Sequence, residues 1–168
     1  GAFVELPEAS PVRVVAEPEI DDVDALVAQL DAINVGVFIS ADNSSGARLT
    51  RALEVVRHER GSRRKVAVLG EMLELGDHAE ALHRQCGEAA ASCGLAWLVT
   101  VGGPAARAMA EGAMRAGMAA DAVTWCERSA AAADYAAGLV RPGDLVLVKG
   151  SRGIRTDVVV DRLVAGGA

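Results

Sequence analysis

The chain has 168 residues, of which 51% are apolar and 24% charged; that suffices for one domain with a sizeable core and is too apolar for a disordered polymer. Lys and Arg number 17 against 23 Asp and Glu, a net charge of −6, which argues against a nucleic-acid or anionic-membrane partner held by bulk charge. Aromatic residues are 3%, too few for a surface that stacks the bases of a single strand.

In chain order, short β-rich runs alternate with longer, alanine-rich amphipathic runs. A strand is predicted over residues 12–16. An acidic stretch, 17–24, leads into a helix over 21–33 with Val23, Leu26, Val27, Leu30 and Ile33 on one face. Strand 35–40 (VGVFI) precedes helix 47–58, and strand 65–70 (VAVLG) precedes helix 77–93, where Asp77-x-x-Glu80 has the form of a capping box. Strand 96–102 precedes helix 104–116, which opens on Pro104. Strand 122–126, helix 129–140, strand 144–150 (LVLV) and helix 154–164 complete the series. Near-continuous apolar runs suit strands buried on both faces, and strand–helix–strand repetition implies crossovers. The expected fold is therefore α/β, a mostly parallel six-stranded sheet with helices on both faces.

Cys86, Cys93 and Cys126 are odd in number and include no CxxC pair, so they are expected to be small buried hydrophobes rather than metal ligands or a disulfide. No apolar run reaches the about 18 residues of a membrane span, and no basic segment followed by an apolar one opens the chain, so no membrane partner and a cytoplasmic location are expected. The chain starts Gly1-Ala2 without Met, and further chain upstream is expected.

Ligands of such sheets bind at the carboxyl ends of the strands, so chemistry is sought in the loops that follow them. The segment Lys149-Gly150-Ser151-Arg152-Gly153 combines glycines with two cations before a helix, a pattern suited to phosphate or carboxylate, whereas a short basic glycine turn taken alone reads more readily as a solvated turn. In Gly70-Glu71-Met72-Leu73-Glu74-Leu75-Gly76, Glu71 and Glu74 suit an ammonium group or a proton transfer, or a surface turn packed by its apolar residues. His78 and His83 stand about 140° apart around a helix and form no metal pair. His78 lies beside the loop and has the better claim on a site; His83 is expected on the polar face or half-buried. The 40–46 loop offers Asp42 and Asn43 for hydrogen bonds to a sugar or base, or for helix capping. The turn Thr100-Val101-Gly102-Gly103-Pro104 lacks the third glycine of a dinucleotide turn. No GxxxxGK[ST] and no GxSxG occur, so the loops form half of a site without a nucleotide cradle.

The stretch Lys65–Gly76 with Asp77-His78 and Leu82-His83, then Leu98–Gly102, Arg141-Pro142-Gly143-Asp144 and Val146–Gly153, resembles the C-terminal domain of the Mur ligases, within them the D-alanyl-D-alanine-adding branch of peptidoglycan precursor synthesis. The likeness spans residues 48–164; residues 1–34 are read as a divergent N-terminal strand and helix of the same domain, and 35–168 as the ligase-like part. The resemblance implies a Rossmann-like three-layer sandwich that closes on an upstream ATP-binding domain. It implies ATP-dependent amide ligation, in which a carboxylate becomes an acyl phosphate and is attacked by the incoming amine. It implies proximity to substrate or phosphate for Lys149, Ser151 and Arg152; Glu71 and Glu74, which match the family's loop, and His78 beside it are taken as substrate-binding as well, and Asn43 and Asp42 as nucleotide-binding, with no catalytic residue in this chain alone. ATP and Mg²⁺ would be held mainly by the other domain, and the substrates would be an amino acid or dipeptide and a UDP-sugar peptide. The family's D-x-Y-N-A-N-P segment is altered here: along Ser40-Ala41-Asp42-Asn43-Ser44-Ser45-Gly46 only Asn43 keeps its identity, and Ser40 stands at the leading acid. The alternative is a degenerate ligase-derived module that binds or scaffolds without catalysis.

Overall fold

The structure is a computed structural model that describes residues 3–4, 13–17, 36–40, 46–58, 64–141 and 143–166. The strands are β1 (Phe3–Val4), β2 (Arg13–Glu17), β3 (Gly36–Ser40), β4 (Lys65–Gly70), β5 (Trp97–Val101), β6 (Val123–Cys126) and β7 (Leu145–Lys149). The helices are α1 (Gly46–His58), α2 (Ala79–Ala91), α3 (Pro104–Arg115), α4 (Ser129–Leu139) and α5 (Asp157–Gly166). All strands lie in one sheet in the order β1-β2-β3-β7-β4-β5-β6, with β1 antiparallel to β2 and the other pairs parallel. The sheet thus has seven strands, not six: a two-residue strand such as Phe3–Val4 is too short to show any periodicity. The helix expected over 21–33 lies outside the described residues, as do Asp42 and Asn43.

The last strand in sequence is inserted between β3 and β4. All five residues of β7 are buried, which accounts for its unbroken apolar run. Alternate residues of the central strands face two separate cores. Ala67, Leu69, Leu145 and Leu147 pack with Leu49 and Leu53 of α1, Cys86 of α2 and Met109 of α3. Val66, Val68, Val146 and Val148 pack with Ala132 and Ala136 of α4 and Val159 and Leu163 of α5. Helices therefore cover both faces.

Small residues set the approach of α2 to α3. A Cβ on Gly87 would collide with Met109 O, and one on Gly112 with Arg84 O, so the two backbones touch where glycines stand. Cys86 and Cys93 are buried in this layer, and burial pushes the Cys86 thiol up to about 11. At the amino-terminal end of the sheet, Asp144 is 3% exposed. Arg64 grips it with Nε donating to Oδ1 at 2.9 Å and Nη2 to Oδ2 at 2.5 Å, while the Arg141 N–H donates to Oδ2 at 2.8 Å. Arg64 also stacks over Trp97, 4.7 Å from the ring centre. This clamp ties the chain before β4 to the turn before β7 and gives the Arg141–Asp144 motif a structural task.

Two substitutions check this packing. Gly87→Ala should lower stability by about 1–3 kcal/mol in urea unfolding, because the added methyl forces α2 and α3 apart despite a better helix propensity. Asp144→Ala should cost about 2–3 kcal/mol, since it leaves the Arg141 amide without its acceptor and Arg64 with only Leu139 O, 3.0 Å from Nη2; an unchanged midpoint would remove the clamp from the account.

Candidate functional site

Parallel register brings the carboxyl ends of β4, β5 and β7 level: Leu69 lies opposite Thr100 and Lys149, and Gly70 opposite Val101. The loops that follow meet because two glycines allow it. A Cβ on Gly70 would lie 2.9 Å from Gly150 Cα and 2.9 Å from Thr156 Cγ2, and one on Gly150 would lie 2.7 Å from the same methyl. The two backbones are in direct contact, which side chains at either position would prevent.

Three consecutive main-chain N–H groups of the 71–75 loop are then bound to three different elements. The Glu71 N–H donates to Val101 O at the end of β5, 2.8 Å. The Met72 N–H donates to His83 Nε2 on α2, 2.8 Å. The Leu73 N–H donates to Ser151 Oγ in the segment after β7, 3.1 Å. Leu73 itself lies over Gly153, where a Cβ would come 2.7 Å from its Cδ1. Beyond these anchors Glu74 adopts a left-handed conformation, φ 67°, which costs a non-glycine residue about 1 kcal/mol and displays its exposed side chain.

Glu71 does not point a free carboxylate at solvent. Its Oε2 accepts the Gly103 N–H at 2.5 Å. Gly103 is the N-cap of α3, so Glu71 takes the N–H of the cap residue itself, the bond a capping-box glutamate makes, and its charge meets the positive end of the helix. Gly102, at φ 138°, makes room: a Cβ there would lie 2.6 Å from Glu71 Oε2. The Gly102-Gly103 turn, read as a faint dinucleotide turn, thus has its anion position taken by the protein's own side chain. Trp125 closes the same turn, its Nε1–H donating to Gly102 O at 2.9 Å.

After β7, Lys149 is 4% exposed at the strand's end, Ser151 is half-buried against the 71–75 loop and Arg152 is exposed. The Ser129 hydroxyl holds Ile154 O, and the Ile154 N–H donates to Ser151 O at 2.9 Å. Arg155, left-handed at φ 60°, turns the chain into α5. Its Nε and Nη2 each lie 3.0 Å from an oxygen of Asp157, and these hydrogen bonds hold the Asp157 carboxyl below the usual carboxylate range.

Among the expected site residues, Glu71 and Ser151 meet at one junction. Lys149 is buried at the end of β7, two residues before Ser151, and Arg152, Glu74 and His78 are exposed on or beside the same loops. Two expectations are corrected. No capping box forms at Asp77-x-x-Glu80: residues Gly76–His78 make a 3-10 turn, and α2 starts at Ala79 without a side-chain cap. His83 is neither half-buried nor on a polar face but 0% exposed, because the buried stripe of α2 runs through His83, Cys86 and Ala90. That spacing of three and four was the signal available in the sequence. The capping role of Glu71 had none, since it depends on a turn 32 residues away. Among the described residues, no three His, Cys, Asp or Glu side chains come together as metal ligands, and no helix is long and apolar enough to cross a membrane.

An α/β sheet whose working loops meet at its carboxyl rim defines a domain of the Rossmann-like class. The pattern of the family described as Mur ligase, glutamate ligase domain, matches residues 33–152, and the chain belongs to that family. It is 39% identical over 114 residues to a UDP-N-acetylmuramoyl-tripeptide–D-alanyl-D-alanine ligase of Mycobacterium leprae, covering 64% of this chain and 21% of the relative. The chain therefore spans about a fifth of the length of that relative. A crystal structure of MurF from Acinetobacter baumannii shares the fold over 98% of this chain and 30% of its own, with TM-score 0.67 and 22% identity. One of MurF ligase from Thermotoga maritima, in complex with ADP, covers 77% of this chain and 28% of its own, with TM-score 0.60 and 24% identity.

If Glu71 caps α3, Glu71→Ala should cost about 1–2 kcal/mol and speed hydrogen exchange at the Gly103 amide, and Glu71→Gln, which keeps an acceptor, should lose less. Unaltered exchange at Gly103 in both variants would refute the cap.

Proposed function

We propose that this chain is the C-terminal, substrate-binding domain of an ATP-dependent amide ligase that joins an amino acid or dipeptide, D-alanyl-D-alanine foremost, to the terminal carboxyl of a UDP-sugar peptide in peptidoglycan precursor synthesis. The observation that carries it is the junction of the two loops that bear the family resemblance. They are 78 residues apart in sequence, and the Leu73 N–H donates to Ser151 Oγ at 3.1 Å. Ligation needs an amine held against an activated carboxyl, and binding groups on a rigid sheet rim supply that orientation.

On this proposal Arg152, exposed and planar, holds a carboxylate or phosphate oxygen of the substrates, with Lys149 contributing positive charge from the end of β7. Glu74 and His78, exposed beside them, face the ammonium end of the incoming amine. Ser151 and Glu71 hold the loops that carry these groups. ATP supplies the phosphoryl group that makes the carboxyl reactive, and its binding is assigned mainly to a further domain of the full-length protein, with Asp42 and Asn43 as this chain's contribution. Mg²⁺ is assigned to that other domain as well. We take residues 35–168 as the ligase-like unit, with residues 1–34 as part of the same domain; the in-register pairing of β2 with β3 supports this.

In the full-length protein, Arg152→Ala should lower kcat/KM for the amine by about 10²-fold with its melting temperature unchanged, and Lys149→Ala should lower turnover as strongly. Residues 1–168 alone, given ATP, D-alanyl-D-alanine and UDP-sugar tripeptide, should form no product. Wild-type kinetics in both variants would overturn the rim assignment, and ligation by the isolated chain would overturn the division of labour.

A further inference from the structure

His83 is a fully buried imidazole, 0% exposed, to which the ligase chemistry above gives no task. Both of its ring nitrogens are engaged. Nδ1–H donates to Ala79 O, one helical turn back on α2, at 2.6 Å, and Nε2 accepts the Met72 N–H at 2.8 Å. A carbonyl can only accept and an amide N–H can only donate, so these partners assign a neutral ring with its proton on Nδ1. An apolar side chain of similar volume would fill the same space but strand a buried donor, since Met72 is 5% exposed.

Met72 is the residue between the two that do the rim's work. On one side Glu71 reaches to the amide of Gly103; on the other the Leu73 N–H holds Ser151 Oγ. The Met72 N–H shares its peptide plane with the Glu71 carbonyl, which accepts the Ser151 N–H at 3.4 Å, so fixing that plane fixes a direct grip on Ser151 and the point from which the chain runs on to Leu73. We propose that His83 is a positioning residue, acting through the 71–75 loop to hold Ser151, and with it the segment from Lys149 to Arg152, in the geometry that receives the incoming amine. This assignment rests on the ligase function proposed above. A merely structural histidine would contribute stability and nothing selective; a positioning one affects amine binding while leaving the nucleotide site intact.

Two variants separate these roles in the full-length protein. In His83→Gln the side-chain oxygen reaches the Nε2 position and can accept the Met72 N–H. In His83→Asn the shorter amide reaches only Ala79 O. His83→Asn should raise KM for D-alanyl-D-alanine about tenfold with KM for ATP within about twofold, and His83→Gln should return the amine KM to within about threefold of wild type. Equal amine KM values in the two variants, or parallel shifts for amine and ATP, overturn the proposal. Should His83→Asn fail to fold, ¹⁵N spectra of the wild-type imidazole and hydrogen exchange at the Met72 amide decide, together with His83→Gln. A ring protonated on Nε2, a Met72 amide that exchanges like an exposed one, or an amine KM for His83→Gln raised as far as tenfold overturns the assignment. A wild-type protein that ligates no amine with ATP defeats the ligase function instead, and the imidazole spectrum still judges the His83–Met72 bond.

Discussion

Three neighbouring amides, on Glu71, Met72 and Leu73, each find an acceptor on a different part of the fold: the end of β5, a histidine of α2, and a serine beyond β7. Backbone N–H groups in a loop usually turn to water; here they fasten three elements at the point where ligands of parallel sheets bind. Rigid support of this kind is what a site needs if its binding groups are to hold an amine in one orientation. The remaining features of the rim follow from it. Ser151 Oγ accepts the Leu73 N–H, Glu71 is turned toward Gly103, and among the expected site residues Glu74, His78 and Arg152 are exposed.

Electrostatics divide the rim's work. A helix N-terminus attracts anions, and the α3 N-terminus at Gly103 already holds one, the Glu71 carboxylate. That occupancy agrees with a site in which the phosphates of a nucleotide are met chiefly by another domain. It also explains why two carboxylates three residues apart have unlike environments: Glu71 is half-buried under a turn, Glu74 exposed on a left-handed residue. The opposite end of the sheet carries a different kind of order. There Arg64, Asp144 and Trp97 form a compact ionic and stacking cluster that fixes the entries of β4 and β7. One end secures the strands, and at the other the loops after β4, β5 and β7 are bonded to one another.

Apolar runs and helical periodicity carried most of the fold in the sequence, because each depends on neighbours within one element. The six strands expected and the helices from 46 onward match described elements to within a few residues at each end. The positions of the loops after β4 and β7 were legible too, since glycines at the end of an apolar run mark a turn. Less was legible where a residue's task is set by something far along the chain. His83 read as polar or half-buried because a histidine's type says little about its face; the α2 stripe through Cys86 and Ala90 buries it, and Met72 gives it a partner.

The alternation of strand and helix, the apolar character of β7 and the composition of the rim loops were thus determined by the amino-acid sequence itself, through short-range periodicity and backbone preference. Only the tertiary structure decided that β7 lies between β3 and β4, that Gly70 touches Gly150, that Glu71 serves α3, and that a buried imidazole anchors the loop between them. The physical reason is that these are contacts between segments separated by many residues. A hydrogen bond or a close backbone approach between such segments has no local pattern until packing brings its two halves together.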